Sequence, residues 1–506
     1  MKKKLLSILL VLSLMLALVP AAFAVEPASG TCGAEGDGSN VTWTLDASGT
    51  LTFTGTGAMR DYMFGVWTPW RTRAVTVVVG EGITRIGERA LADCAQVRSV
   101  SLPSTLTDIG AHALSDCKRL TDISFPDGLK TIGEWALSDC EALPAVTLPA
   151  GIETIGDRAF LGCSKLASVT VPEGLTHLGT YLFVGDQALK NITLPQSMTT
   201  LDDGLFFSCG IETVTIPAGI TTIGKEAFAV SGVTGITIPA GVTTVGDEAF
   251  AGSHLTSITV PATIRTSGKN LFKACRDLRT AVLAEGITRV SDGMFRDCTN
   301  LADVTLPQTL TAIAQRAFSG CTELEHITLP EAAVKYGAYV FSGTYLTDIR
   351  FPAGTSYLGK GALSSMPVLQ QITLPDGLTT CGAELLSKNP ALKSVRLPAG
   401  LTAVSDGMFS GCTALQSIDL PDTVAYIGES AFSGCTALTD LTFPAGLESF
   451  GREALQGCSS LTEITVPTGV HALPEAVFSG CSRLVNVNLP EGLTSIGPTA
   501  FQSCCL

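Results

Sequence analysis

The chain is a run of repeats of 22 or 23 residues, and no other feature restricts its fold as strongly. Proline marks one repeat position in seventeen units: Pro103, Pro126, Pro149, Pro172, Pro195, Pro217, Pro239, Pro261, Pro307, Pro330, Pro352, Pro375, Pro398, Pro421, Pro444, Pro467 and Pro490. Gly80 and Ala284 hold that position in two further units, which makes nineteen units in all. A unit of this size cannot enclose a hydrophobic core by itself, so neighbouring units must stack and share one. The predicted fold is therefore a solenoid.

Each unit reads roughly P-x-G-L-T-x-I-G-x-x-A-F-x-G-C-x-x-L-x-x-I-x-L. The position eleven residues after the proline is Phe or Leu in all nineteen units, which predicts a continuous apolar spine. Segments such as SVTVP (168–172) alternate polar and apolar residues, as short half-buried strands do, and a proline can end such a strand. The stretch GDRAFLGC (156–163) is long enough for one helical turn. The predicted unit is therefore a strand, a turn, a helical turn and a return, with parallel strands in neighbouring units.

The segment before the array predicts a small β-hairpin. VTWTL and TLTFTG alternate polar and apolar residues around the turn sequence Asp46-Ala47-Ser48-Gly49. Three of the four tryptophans also lie in this segment, at Trp43, Trp67 and Trp70. We expect this hairpin to cover the apolar end of the first coil, which a solenoid otherwise exposes. The alternative is that its tryptophans form an aromatic platform for a sugar.

The string I-G-x-x-A-F-x-G-C-x-x-L-x-x-I-x-L-P resembles the BspA-type leucine-rich repeat of bacterial and protist surface proteins over residues 80–506. The N-terminal segment resembles the piece that precedes such arrays in exported proteins of gut Firmicutes. This second resemblance is carried by Gly30-Thr31-Cys32-Gly33, by WTLDASGTLTFTGTGAM (43–59) and by Trp67-Thr68-Pro69-Trp70. The resemblance implies a leucine-rich-repeat-like solenoid. It also implies adhesion to extracellular-matrix proteins or to other bacteria, although repeats of this kind have no single activity.

The N-terminus predicts export. Three lysines follow Met1, an apolar stretch runs from Leu5 to Val19, and Ala22-Phe23-Ala24 resembles a cleavage site. We therefore expect a signal peptide at residues 1–24, a β cap segment at 25–79 and the solenoid at 80–506. No later stretch reaches the roughly 20 apolar residues of a membrane-spanning helix, so the mature chain should have no membrane span. The expected location is extracellular, either secreted or associated with the cell surface.

Composition and residue spacing exclude several classes of function. The net charge is −14 and no basic stripe is visible, so nucleic-acid binding is not expected. The five histidines lie far apart, and none has a Cys or His at metal-ligand spacing. Carboxylates are spread over many coils, whereas a hydrolase needs two that face each other. The sequence therefore predicts no enzyme, no cofactor and no metal site.

One repeat position holds thirteen of the sixteen cysteines: Cys94, Cys117, Cys140, Cys163, Cys209, Cys275, Cys298, Cys321, Cys412, Cys435, Cys458, Cys481 and Cys504. Other units place Asp, Ser, Thr, Met or Asn there, so the position accepts small polar groups and one Met, whereas a framework built on pairing would lose its members in pairs. We therefore favour structural thiols at a semi-buried corner, each touching the backbone of a turn. Some disulfides remain the alternative, and a metal site would need converging ligands that a column does not offer.

Residues two and four places before each proline should point outward from the strands. The position two before is a threonine in eleven units: Thr147, Thr170, Thr193, Thr215, Thr237, Thr259, Thr305, Thr328, Thr373, Thr442 and Thr465. Threonine suits an exposed strand position in any case. The functional alternative is that this hydroxyl row matches a repetitive ligand such as a polysaccharide.

The threonine row breaks at Arg350, Arg396 and Asp419, close to four of the seven tyrosines. Because Tyr and Arg are enriched in binding hot spots, this region is the predicted partner-binding patch. The patch comprises His326, Tyr336, Tyr339, Tyr345, Arg350, Tyr357 and Arg396. The competing interpretation is drift in a few units, with the tyrosines scattered around the coil.

The functional hypothesis is a non-enzymatic binding protein that contacts an extracellular protein or glycan through its solenoid face, in adhesion or protein–protein interaction. The alternative is a carbohydrate-binding or scaffold module of a larger exported protein. The chain stops within a repeat at Cys504-Cys505-Leu506, so we expect either that a short end suffices or that the sequence is a fragment.

Overall fold

The computed structural model describes residues 25–63, 68–332 and 334–505. The predicted signal peptide and Trp67 therefore lie outside the described residues. The chain divides into two compact units, Met1–Leu189 and Lys190–Leu506. Five repeats begin in the first unit and fourteen in the second. Within the described ranges both units consist of short strands and turns, without a helix.

In the first unit the described residues form thirteen strands: β1 (Ala28–Thr31), β2 (Val41–Leu45), β3 (Thr50–Gly55), β4 (Gly57–Ala58), β5 (Thr76–Val79), β6 (Ile83–Ile86), β7 (Ser99–Ser101), β8 (Asp108–Ile109), β9 (Asp122–Ile123), β10 (Thr131–Ile132), β11 (Ala145–Thr147), β12 (Thr154–Ile155) and β13 (Ser168–Thr170). Apart from β1 to β3, which are antiparallel, neighbouring strands pair in parallel.

In the second unit the described strands are β14 (Asn191–Ile192), β15 (Thr200–Leu201), β16 (Thr213–Val214), β17 (Thr222–Ile223), β18 (Thr244–Val245), β19 (Ser257–Val260), β20 (Thr266–Ser267), β21 (Thr280–Leu283), β22 (Arg289–Val290), β23 (Asp303–Thr305), β24 (Ala312–Ile313), β25 (Lys335–Tyr336), β26 (Gln371–Thr373), β27 (Ser394–Arg396), β28 (Ala403–Val404), β29 (Ser417–Asp419), β30 (Tyr426–Ile427), β31 (Asp440–Thr442), β32 (Ser449–Phe450), β33 (Glu463–Thr465), β34 (Ala472–Leu473), β35 (Asn486–Asn488) and β36 (Ser495–Ile496). Pairing among them is parallel.

A typical coil contributes two strands, one just before the proline and one five and six residues after it. Both pair in register with their equivalents in the next coil: Val146 lies opposite Val169, and Ile132 lies opposite Ile155. The first ladder confirms the predicted strand. The second ladder is the T-x-I segment of the repeat, for which the pattern predicted no strand. Equivalent residues face each other in both ladders, so each side-chain position becomes a column along the stack.

The predicted N-terminal hairpin is confirmed as the antiparallel pair β2 and β3. Its turn is held by the Asp46 carboxylate, which accepts hydrogen bonds from the Ser48 and Thr50 amides at 2.8 and 2.9 Å. Strand β3 then pairs in parallel with β5, so the hairpin covers the edge of the first ladder.

The cap tryptophans are interior residues. Trp70 is 1% exposed, packs edge-on against Trp43 and Phe53 at 5.0 and 5.4 Å, and donates its indole N–H to the Ala90 carbonyl at 3.0 Å. Because Trp43 is also buried, neither ring is available to stack on a sugar. The cover interpretation holds for these two tryptophans, and the sugar-platform alternative is wrong for them.

The predicted helical turn is wrong, because two residues in each coil adopt the left-handed conformation. They lie nine and thirteen residues after the proline, as at Arg158 (φ 57°) and Gly162 (φ 76°). An α-helix of L-residues cannot continue through such residues. Their amides instead reach the next coil, where Arg158 donates to Thr180 and Gly162 to Val184, at 2.9 and 2.7 Å. The glycine before the cysteine in the repeat sequence supplies the second of these conformations at low steric cost.

The predicted apolar spine is confirmed. In the second unit the aromatic rings at position eleven lie flat on one another: Phe206 on Phe228 at 5.4 Å, and Phe318 on Phe341 at 5.8 Å with an interplanar angle of 7°. Each of these rings is fully buried. The column therefore joins successive coils through one continuous core.

Removal of a ring from this column should loosen the stack. Phe250 is fully buried between Phe228 and Phe272, 5.4 Å from each. We expect Phe250→Ala to lower stability by roughly 3 to 5 kcal/mol, because it removes apolar burial and leaves a cavity. Urea unfolding followed by circular dichroism measures this.

The matched control is Phe250→Leu, since Leu363 and Leu386 fill the same position elsewhere in the second unit and are fully buried. Leucine should lower the unfolding midpoint less than alanine does. Equal midpoints for the parent and both variants would show that the column is not the core.

Candidate functional site

The repeated cysteines are buried, except for the half-buried Cys504, and their thiols bond to the backbone. Cys298 donates its S–H to the Phe272 carbonyl at 3.0 Å, and Cys321 donates to the Phe295 carbonyl at 3.1 Å. In both cases the acceptor lies three positions earlier in the repeat, one coil before. The predicted contact between thiol and turn backbone is confirmed. Burial is complete at both cysteines, so the expectation of a semi-buried corner is corrected.

The residues that replace cysteine satisfy backbone groups of the same turn. Ser231 donates its hydroxyl to the Phe228 carbonyl of its own coil at 2.7 Å. Asn389 donates its amide to the Leu363 carbonyl at 2.9 Å and accepts a bond from the Met366 amide at 2.7 Å. The position is therefore a buried corner filled mostly by small hydrogen-bonding side chains, with the fully buried Met366 as the apolar exception.

Burial makes these thiols unreactive. It raises the pKa of Cys412 to about 12 and that of Cys275 to about 11, because the charged thiolate is poorly solvated there. The nucleophilic and metal-binding form is the thiolate. The described cysteines are all free thiols. Within the described ranges no three His, Cys, Asp or Glu side chains converge as a metal site would require.

Alkylation of the folded protein should separate exposed from buried thiols. Iodoacetamide at pH 8 should modify the exposed Cys505 and leave Cys298 and Cys321 intact until the protein is unfolded in guanidinium. Peptide mass spectrometry before and after unfolding gives the modified fraction at each cysteine. Native alkylation of Cys298 at the rate of Cys505 would contradict the buried column.

Asp186 occupies the cysteine position in the first unit and is fully buried. Burial raises the pKa of this carboxyl well above its ordinary value. The folded state therefore binds the proton more tightly than the unfolded state. This contribution to stability is fully present below the ordinary pKa of about 4 and is lost as the pH rises through the folded pKa.

We expect Asp186→Asn to remove this pH dependence. Asparagine fills the same position at Asn389 and carries no charge. The gain in melting temperature over the parent should be larger at pH 8 than at pH 4, as measured by circular dichroism. The control is Asp127→Asn, at an exposed aspartate of the same unit. Its melting temperature should differ from that of the parent by the same amount at pH 4 and at pH 8. A gain that does not vary with pH would contradict burial of a titrating carboxyl.

The threonine row points outward as predicted. All eleven side chains are exposed. Among the described residues, only the Thr465 hydroxyl of this row has a hydrogen-bond partner, the Asn488 amide at 3.0 Å. A different threonine column, four residues after the proline, bonds to the coil before it, as Thr221 does to the Thr199 carbonyl at 3.3 Å. The outward row therefore has hydroxyls that the fold itself does not use.

The row is interrupted in the second unit. Strand β23 ends at Thr305, and in the described residues the next strand of this ladder is β26, which begins at Gln371. Arg350 replaces threonine within this gap and is exposed. Arg396 also replaces threonine and is exposed, but it ends β27, which pairs in register with β26.

An open groove of ≈ 890 Å³ begins within the strand gap, at Asp348, and continues over β26 and β27 to Asp419. Four coils contribute to it, with Asp348 and Arg350 from one, Gln371 from the next, Arg396 from the third and Asp419 from the fourth. A neighbouring hollow of ≈ 270 Å³ begins at the same Asp419. The strands place these side chains side by side because they occupy equivalent outward positions.

One ion pair and one contact between a histidine and a carboxylate border the groove. His326 Nδ1 lies 3.1 Å from Asp348 Oδ1, and Arg396 Nη2 lies 3.2 Å from Asp376 Oδ1. All four side chains are exposed. The structure therefore brings together His326, Arg350 and Arg396 of the predicted patch.

The predicted tyrosines do not join them as one surface. Tyr336 is 2% exposed and packs edge-on against Phe351 at 5.1 Å, so its assignment to a binding surface is corrected. It occupies the apolar position of the second ladder, where its neighbour is Ile313. An aromatic ring at this repeat position points into the core, even though tyrosine is a residue type that is common in binding sites.

The other three tyrosines lie at different repeat positions. Tyr339 is half-buried, donates to Glu384 at 3.2 Å and lies 5.5 Å from the Arg316 guanidinium. Tyr345 and Tyr357 are 40% and 50% exposed, fifteen and five residues after their prolines. The scattered-tyrosine interpretation thus describes the structure better than a single aromatic patch.

Two features of the surface were missed from the sequence. One is Asp376, whose signal is a charged residue directly after a repeat proline, beside the groove. The other is a stack in the first unit, in which the His112 ring lies 5.8 Å from Trp135, and Arg158 lies over the rings of Trp135 and Tyr181 at 5.2 and 5.0 Å. In the sequence, only the 23-residue spacing of these four residues indicates the stack, because each of them is of a different type. Since the rings cover each other's faces, this stack holds coils together rather than presenting a platform.

The BspA type leucine rich repeat region matches the chain at residues 72–190, 163–279, 288–416 and 402–506, well over half of the sequence. No functionally curated protein matches the chain. In the described residues there is no helix with the length and apolar character to cross a membrane.

Several solved structures are similar to this chain. A leucine-rich repeat protein from Bacteroides ovatus is 22% identical, with 92% of this chain and 91% of that chain covered and a TM-score of 0.43. A leucine rich cell surface protein from Faecalibacterium prausnitzii is 19% identical, with 91% and 95% covered and a TM-score of 0.26. The pneumococcal vaccine antigen PcpA is 17% identical, with 84% and 94% covered and a TM-score of 0.33.

Proposed function

The chain belongs to the BspA-type leucine-rich repeat family, and from this premise we propose that it is an exported adhesion protein that binds a partner protein through the outer strand face of its second unit. The family is a non-enzymatic repeat scaffold, and leucine-rich repeat proteins typically mediate protein–protein interaction or surface binding. The observation that carries the proposal is the charged groove at the interruption of the threonine row.

The groove has features that suit a protein partner. Its guanidinium and carboxylate groups are exposed and can form charge-assisted hydrogen bonds with a polar partner surface. Arg350, Arg396 and His326 are the proposed contact residues. Tyr345 is exposed and lies three residues before Asp348, which lines the groove. It is a further candidate for a contact residue, because aromatic side chains add apolar contact area.

Export supports an extracellular partner. The lysine-rich start, the short apolar stretch and the Ala-Phe-Ala sequence are typical of a signal peptide at residues 1–24, followed by a β cap at 25–79 and the array at 80–506. A secreted or cell-surface location brings the outer face into contact with extracellular-matrix proteins or with other cells. We therefore place the partner among such proteins.

A carbohydrate-binding or scaffold role is the second candidate, and the threonine row favours it. Among the described residues the hydroxyls of this row are almost all unused by the fold, and they recur at the spacing of the coils, roughly 4.8 Å. A polysaccharide with a regular array of hydroxyl groups could bind along such a row. In this second candidate the ligand would bind along the threonine row and not in the charged groove.

Binding of the mature chain to immobilised fibronectin and fibrinogen, beside a glycan array, distinguishes the two candidates. For a protein partner we expect Arg350→Ala with Arg396→Ala to weaken binding at least tenfold, and Tyr345→Ala to weaken it less. The matched control is Thr215→Val with Thr237→Val, which changes two exposed residues of the threonine row outside the groove, in the same unit.

These substitutions alter exposed side chains, so unfolding midpoints should stay unchanged. Glycan binding that is lost only in the threonine variant would support the second candidate. Protein binding that is unaffected by all these variants would contradict a role for the outer face.

A further inference from the structure

Unpaired charges of opposite sign lie at the two ends of the groove and its neighbouring hollow. At one end the exposed Arg350 guanidinium makes no ion pair or hydrogen bond with any described residue. At the other end Asp419, Asp422 and Asp440 surround the hollow, and their carboxylates likewise have no such partner within the described residues. Within the described residues, the fold itself supplies no opposite charge at either end. A ligand with both signs of charge is therefore complementary to this surface.

Between the two ends, Asp376 is paired with Arg396. This exposed ion pair separates the cationic end from the acidic end, so the polarity of the groove is not cancelled along its length. At the cationic end itself, the Asp348 carboxylate contacts His326 and not Arg350.

The groove also exposes apolar surface. Phe351, Leu397 and Leu420, each directly before a repeat proline, line it or its neighbouring hollow and are partly exposed. The equivalent residue is 7% exposed at Leu306, outside the groove, and 1% exposed at Leu374, inside it. Apolar side chains of a ligand can therefore be buried here, which a small ion would not achieve.

The distance between the ends sets the length of the ligand. Arg350 and Asp419 belong to coils three steps apart, which is about 14 Å at roughly 4.8 Å per coil. An extended peptide rises about 3.3 Å per residue, so this distance corresponds to about four residues. Building on the proposed function, we propose that the groove binds an extended segment of the partner protein, with an acidic side chain on Arg350. A basic side chain about four residues away lies on Asp419, Asp422 and Asp440.

Other ligand classes fit these charges less well. A polyanion would place negative charge against three carboxylates, and the chain as a whole carries −14. A neutral polysaccharide would cover the charges without pairing them, which is costly when they lose water. A lone cation would leave Arg350 unused. An extended peptide supplies both charges and apolar side chains on one backbone.

The test uses fluorescent 12-residue peptides in a Ser/Thr/Val background and measures anisotropy at low salt. The panel has Glu and Lys four residues apart in both orders, the same residues two apart, and all-acidic and all-basic versions. We expect one order at four-residue spacing to bind the parent at least tenfold more tightly than the other peptides. Equal affinity for all of them would overturn the proposal.

Charge reversal provides the decisive comparison. The variant Arg350→Asp, Asp419→Lys, Asp422→Lys should prefer the opposite order of Glu and Lys. Asp303→Lys changes an exposed residue of the same strand ladder outside the groove and should leave the preferred order unchanged. An unchanged order in the reversed variant would also overturn the proposal.

The outcome separates this proposal from the proposed function. If the parent binds fibronectin or fibrinogen and the Arg350→Ala, Arg396→Ala variant does not, the proposed function stands. If the peptides then bind without selectivity, only the proposal of an extended segment with one acidic and one basic side chain is overturned. If neither proteins nor peptides bind, both proposals fail.

Discussion

The stacking of each coil on the next through the buried residue at position eleven is the interaction on which the rest of the structure depends. A coil of 22 or 23 residues has no interior of its own, so its apolar side chains are buried only by neighbours. In the second unit, rings such as Phe228, Phe250 and Phe272 lie flat on each other at 5.4 Å. This repeated contact sets the spacing at which every other column of side chains must form.

Polar groups of the coil are compatible with this stacking because they too are satisfied between neighbours. The left-handed residues turn their amides toward the next coil, and the buried thiols take up carbonyls of the coil before. Unsatisfied buried groups would otherwise cost free energy at every repeat. Because the interior groups are satisfied between neighbouring coils, the outward threonine row is not needed to hold the coils together. Its composition can therefore change at Arg350, Arg396 and Asp419 without affecting the fold.

Much of this structure could be predicted from the sequence, and the errors share one cause. The spine, the strand before the proline, the hairpin and the contact of cysteine with the turn backbone all follow from residue type at a fixed spacing. The helical turn was wrong because Arg158, with no sequence signal for it, adopts the left-handed conformation. Tyr336 was placed on the surface because its residue type suggested binding, whereas its repeat position directs it into the core. Repeat position, more than residue type, determines where a side chain points.

The sequence by itself determined that the chain stacks, because the period and the invariant apolar position admit no other way to bury those side chains. It also determined which residues point outward, since strand alternation is local. Only the tertiary structure decided which outward residues meet. Arg350, Asp376 and Arg396 are separated from one another by at least twenty residues along the chain, yet they line one groove because their coils are stacked on one another. Proximity across coils depends on register and on the path of each turn, and backbone hydrogen bonds between coils set both.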